Sequence, residues 1–155
     1  MKRMLHAALL LSLAPLLAVA AEPAALTLEG AWVRALPPGQ PNTAAYLTAT
    51  NRGAAAVTIV GASAAIAKTT QIHTTREVDG LQRMEQVAQL QLAPGQSLAF
   101  APGGTHLMLM GLAQMPAPGE QVQLCLELAG GAQVCTQAEV QKGAGNEQSH
   151  EHHQH

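Results

Sequence analysis

Four side chains in the middle of this 155-residue sequence have the types and spacing to hold a soft metal ion. Ten residues separate His73 from Met84, twenty-one separate Met84 from His106, and Met108 stands two positions after His106. Away from the two ends of the chain, His73 and His106 are the only histidines. Imidazole and thioether are neutral, polarisable donors that bind with little proton release at neutral pH, and together they suit cuprous copper. The pattern reads as a Cu(I) site. Each residue taken singly has a plainer reading, because a methionine in a strand is usually core filling and a lone histidine is usually a hydrogen-bonded residue. Met110 and Met115 take that plainer reading here, although Met110 shares a strand face with Met108. The joint arrangement of the four is what favours a site.

The elements that must position them read as all-β. Between residues 24 and 140, short runs rich in Val, Leu, Thr and Ala alternate with Gly/Pro breaks. Strands are predicted over Leu26 to Ala35, Ala44 to Asn51, Val57 to Ile66, Gln71 to Glu77, Leu81 to Leu92, Ser97 to Ala101, His106 to Gly111, Gln121 to Ala129 and Gln133 to Val140. About nine short strands at regular spacing predict a single Greek-key barrel or sandwich. The alanine-rich stretch Ala62 to Ala67 fits a strand least well, since alanine favours helix. Asp79-Gly80 is a strong hairpin signal. A two-residue turn there pairs His73 with Gln86 and sets Met84 diagonally beside His73 on the same face, within reach of a long side chain. His106 and Met108, two apart on one strand, also share a face. The loop Ala101-Pro102-Gly103-Gly104 places His106 at the rim of the sheet, where a partner could reach a bound ion.

Both ends of the chain differ from this middle. Lys2 and Arg3, the apolar stretch Leu5 to Leu17 and the small residues Ala18-Val19-Ala20 have the layout of a secretory signal peptide over residues 1–20, with cleavage expected near Ala20 or Ala21. The apolar run is too short, and too soon followed by Glu22 and Pro23, for a spanning helix, so export is expected, with no membrane span after cleavage. No cysteine follows the run as an acceptor for a lipid. Residues 141–155, QKGAGNEQSHEHHQH, lack apolar periodicity and read as a flexible tail. Its His150, His152, His153 and His155 could wrap a Cu(II) or Zn(II) ion, or form no more than a solvated polar extension.

Composition excludes other classes. Without Lys2 and Arg3 the mature chain, about 135 residues long, keeps 6 of the 8 Lys and Arg against 10 Asp and Glu, a formal charge of −4. Nucleic-acid binding would want clustered cations and stacking aromatics, and the only aromatics are Trp32, Tyr46 and Phe100. An enzyme is not expected: no nucleophile constellation or phosphate-cradling loop stands out, and methionines have no use in acid–base chemistry.

The four ligands with their three gaps resemble the periplasmic copper chaperones of the PCu(A)C family, whose motif is His, ten residues, Met, twenty-one residues, His, one residue, Met. Flanking segments match as well: Ala31-Trp32-Val33-Arg34, Ala44-Ala45-Tyr46 leading to Asn51-Arg52-Gly53, and Pro102-Gly103-Gly104-Thr105-His106-Leu107-Met108-Leu109. The resemblance covers roughly residues 28 to 140. It implies a cupredoxin-like β-barrel without a redox-active blue-copper centre, holding Cu(I) near the surface through His73, Met84, His106 and Met108. It further implies delivery of copper to the copper-bearing subunit of cytochrome c oxidase, alone or with a Sco-type thiol protein; a periplasmic location and a monomeric state are expected. The histidine tail looks like extensions that add a Cu(II) site in some members, and an alternative is periplasmic copper or zinc buffering or resistance through that tail.

Cys125 and Cys135 stand outside the copper motif. They flank Ala129-Gly130-Gly131-Ala132, and a three-residue loop centred on Gly130 would bring them face to face. In an exported protein a cross-strand disulfide is expected, contributing about 2–3 kcal/mol for a loop of about ten residues. The alternative is a thiol copper site or a redox switch, against which the nine intervening residues form no CxxC motif. A blue-copper electron carrier would need a Cys ligand with two His and an axial Met, and neither cysteine is closely followed by them.

Overall fold

The computed structural model describes residues 25–143. Residues 1–20, expected to be a signal peptide, and His150, His152, His153 and His155 of the tail lie outside the described residues. Ten strands follow one another: β1 (Leu26–Arg34), β2 (Asn42–Asn51), β3 (Val57–Ala64), β4 (Thr69–Val78), β5 (Leu81–Gln86), β6 (Leu90–Leu92), β7 (Ser97–Phe100), β8 (His106–Met110), β9 (Gln121–Leu128) and β10 (Gln133–Gln141). They form one sheet in the order β5-β4-β8-β2-β1-β10-β9-β3-β6, with β7 attached to β2. The sheet curls until β3 approaches β4, closing a cupredoxin-like Greek-key barrel. Every ladder is antiparallel except the one joining β1 to β10.

Aliphatic side chains fill the barrel because alternate residues of each strand turn inward. Leu26, Val33, Ile59, Leu92, Leu107, Leu109, Leu124, Leu126 and Val140 are all fully buried. Ala62 and Ala64 are buried as well, so tertiary packing holds the alanine-rich stretch extended against its helical preference. Leu47 and Phe100 meet where β2 changes neighbours: β8 pairs its first half, Asn42 to Ala45, and β7 its second, Leu47 to Thr50. On the other side of β2, a bulge in β1 between Glu29 and Trp32 shifts the register by one residue. Gly30 sits there with a φ of +61°, a conformation that a side chain would disfavour. The bulge is what lets Leu26 and Val33 both face inward, although seven positions separate them.

One predicted strand proves to be two. Leu81 to Leu92 divides into β5, hydrogen-bonded to β4 at one edge of the sheet, and β6, hydrogen-bonded to β3 at the other. Every residue of β5 is exposed, whereas Leu92 is only 1% exposed. A polar run with nothing to bury and a leucine that must reach the core cannot continue along one edge. The chain leaves the β4 ladder at Val87, whose N–H donates to the Ile72 carbonyl at 2.8 Å.

Candidate metal centre

The Asp79-Gly80 hairpin has the geometry its residues suggest. Asp79 has a φ of 55° and Gly80 of 76°, the pair of positive values that a tight two-residue hairpin turn demands. The register that follows pairs His73 with Gln86 and Thr75 with Met84. On its other edge β4 pairs with β8, which brings His73 directly opposite His106 and Gln71 opposite Met108. Since Ile72, Leu107 and Leu109 point into the core, alternation turns Gln71, His73, His106 and Met108 to the outer face of the sheet. Met84 shares that face through its partner Thr75. The ring centroids of His73 and His106 are 6.0 Å apart.

The four candidate donors differ sharply in exposure. His106 is 5% exposed and Met84 is 55% exposed, while His73 and Met108 are half-buried. A hollow of about 300 Å³ opens between Met84, His106 and Met108, with Arg34, Tyr46 and Thr75 among its other walls. His73 stands beside the hollow rather than in its wall. Among the described residues no group of three His, Cys, Asp or Glu comes together, and no carboxylate lines this hollow. The site thus lacks the hard oxygen donors that a divalent ion such as Mg²⁺ or Ca²⁺ prefers.

Each histidine keeps one ring nitrogen free. His106 Nδ1 lies 2.9 Å from the Gly104 carbonyl oxygen. A carbonyl only accepts, so Nδ1 carries the proton and Nε2 keeps its lone pair. The same carbonyl accepts the N–H of Thr75 at 3.2 Å, tying the Pro102-Gly103-Gly104 loop to β4. His73 Nε2 lies 2.8 Å from Gln71 Oε1, and His73 Nδ1 is buried without any hydrogen-bond partner among the described residues. Buried polar atoms are rarely left alone, and a neutral imidazole nitrogen without a donor nearby fits a metal ligand. Burial, and after it the charge His106 would carry, lower the pKa of His73 from the ordinary histidine value, which favours the neutral form that binds metal.

A buried aromatic layer backs the site. Trp32 and Tyr46 face each other across β1 and β2 with centroids 4.4 Å apart, and Tyr46 lies 6.5 Å from the His106 ring. Both are buried, yet both belong to the outer face rather than to the aliphatic core. The Arg34 guanidinium carbon sits 5.3 Å from the Tyr46 centroid and 6.0 Å from that of Trp32, near the range of cation–π attraction. Burial raises the Tyr46 pKa, with the Arg34 charge acting in the opposite sense. In the sequence these residues stand out only as matching segments; their contact with the site depends on β1 and β2 lying next to β8. Met115 is buried core filling and Met110 is half-buried. Cys125 and Cys135 are directly paired across β9 and β10 and joined by a disulfide, with Cα atoms 4.0 Å apart, and neither lines the hollow beside the histidines.

Known proteins share this architecture. The LpqE-like family, described as "Putative lipoprotein LpqE-like", matches residues 26–140. The "Putative lipoprotein Lxx21020" of Leifsonia xyli subsp. xyli (strain CTCB07) is 33% identical over 103 residues, which cover 66% of this chain and 61% of that protein. The chain therefore matches less than two thirds of the length of this curated relative. Among solved structures, CuI-DR1885 from Deinococcus radiodurans is 34% identical with a TM-score of 0.59, over 74% of this chain and 76% of that one. The copper-bound PCuAC domain from PmoF2 superposes with a TM-score of 0.62 over 76% of this chain and 92% of that chain, at 21% identity, a likeness of fold. With a family match running from the first strand to the last, this chain belongs to the LpqE-like family, built on the PCuAC fold.

Proposed function

We propose that this protein is an exported copper carrier that binds Cu(I) through His73, Met84, His106 and Met108 and passes it to another protein. The observation that carries the reading is the convergence of two histidines and two methionines on one outer sheet face, one imidazole nitrogen being buried there without a partner. The Cu(I) named for DR1885 and the copper named for the PmoF2 domain support it, as does the word lipoprotein in the names of the family and the relative for export. Neutral soft donors suit a carrier, because an incoming thiolate competes well against a thioether for Cu(I). Transfer to the copper-bearing subunit of cytochrome c oxidase, directly or through a Sco-type thiol protein, is the destination that the PCu(A)C resemblance suggests.

Titration of the mature protein with Cu(I) against a chromophoric chelator is the test. One tight site is expected, weakened by replacing any of the four residues with alanine. Undiminished binding in all four variants would overturn the assignment. X-ray absorption of the loaded protein should show two sulfur and one or two nitrogen neighbours, whereas a nitrogen-only shell would transfer the role to the tail histidines.

A further inference from the structure

His73 and His106 face each other across two strands, yet their hydrogen bonds prepare opposite ring nitrogens. His106 is held by the Gly104 carbonyl at Nδ1, leaving Nε2 for an ion. His73 is held at Nε2 by Gln71 Oε1, 2.8 Å away, and its Nδ1 is the buried atom without a partner. Gln71 is two residues before His73 on β4 and therefore on the same face, opposite Met108 in the ladder. With its oxygen turned to the ring it accepts the Nε2 proton and fixes the Nδ1 lone pair. In the other tautomer an N–H would be buried at Nδ1 with no acceptor, an arrangement that is costly and that repels a cation.

We infer that Gln71 is a positioning residue for the copper cargo, which holds His73 in the tautomer that binds through Nδ1 while His106 binds through Nε2. This rests on the Cu(I) reading above and adds the atoms used and the residue that selects them. Gln71 does not touch the ion. It acts as outer-shell carboxylates and carbonyls do on other metal-bound histidines, fixing ring orientation and tautomer. A side chain supplies the hydrogen bond at His73 and the backbone supplies it at His106, so only the former can be removed by substitution.

Cu(I) is diamagnetic, so nitrogen NMR of the histidine-labelled protein reads the prediction directly. On loading the wild-type protein, the His73 Nδ1 and His106 Nε2 resonances should shift as the coordinated nitrogens. A shift of His73 Nε2 instead overturns the inference. In the apo protein, wild type and Gln71→Glu should each show His73 protonated at Nε2 alone, because glutamate retains the acceptor. Gln71→Leu should show both tautomers and bind Cu(I) about 10–100-fold more weakly. Wild-type tautomer and affinity in folded Gln71→Leu would also overturn it. His73→Ala separates the two levels: if it retains tight binding, the site assignment fails, whereas its loss of binding beside an unaffected Gln71→Leu refutes the role of Gln71 alone.

Discussion

Met84 is the most accessible of the four proposed donors and His106 the least, so substitutions there should separate binding from folding. Met84→Leu keeps the bulk of an exposed side chain, and the apo domain should unfold within about 0.5 kcal/mol of wild type. Its Cu(I) affinity should fall by about tenfold or more, equivalent to roughly 1.4 kcal/mol of binding, as measured by chelator competition. His73 supplies a second prediction. Its pKa is lower folded than unfolded, so the unfolded chain takes up more protons as the pH falls through about 6.5. Apo stability should be full above that value and decline below it, until the lowered folded pKa is passed. Denaturant midpoints of wild type and His73→Gln across that range are the check: the variant should show the flatter profile, and parallel profiles would exclude His73 as the titrating group. At this scale the four candidate residues and their gaps were legible in the sequence. The free nitrogen of each ring was not, because it depends on Gln71 and on the carbonyl of Gly104 coming within hydrogen-bond distance.

The hairpin between β4 and β5 is a local structure, and its turn residues alone sufficed to place Met84 near His73. The pairing of β4 with β8 spans more than thirty residues of sequence, and no local pattern specifies which strands become neighbours. That is why the direct opposition of His73 and His106, and the aromatic layer behind them, emerge only in three dimensions. The division of Leu81 to Leu92 between two sheet edges was hidden for the same reason. Asn51 shows how such edges are joined. Its side-chain amide donates to the carbonyls of Ala55 and Leu92 at 2.8 and 3.0 Å and accepts from the N–H of Gly53 at 2.9 Å. Asn51→Ala should destabilise the domain by about 2–4 kcal/mol in denaturant unfolding, since three backbone groups, the buried Leu92 carbonyl among them, lose their partner. The disulfide between β9 and β10 should behave differently. Replacing both cysteines with alanine should cost about 2–3 kcal/mol and leave Cu(I) affinity unchanged, because neither cysteine lines the hollow beside the proposed donors.

Taken whole, the molecule carries few charges, with a formal net charge of −2, and among the described residues Arg34 is the only formally charged side chain lining the hollow beside the proposed donors. The larger concavity, about 830 Å³, is formed by the proline-bearing loops after β1 and β8 and shares only Leu36 with the smaller one. Among the described residues its lining offers a single soft donor, Met115, against Met84, His106 and Met108 in the smaller hollow. Deleting residues 145–155 should leave one Cu(I) equivalent bound per domain and remove any further Cu(II) or Zn(II) equivalents, as read by metal analysis after desalting; loss of the Cu(I) equivalent would assign copper to the tail. If the four residues hold copper, their uneven exposure would give exchange a direction. An ion seated against His106 would be walled by sheet and aromatic rings on the inner side and bounded by a single edge-strand thioether on the outer. Met84 is the side chain of the four most open to an acceptor, so the bond to Met84 would break first and that to His106 last. Copper would leave by stepwise substitution at an open flank, with the barrel itself remaining closed throughout.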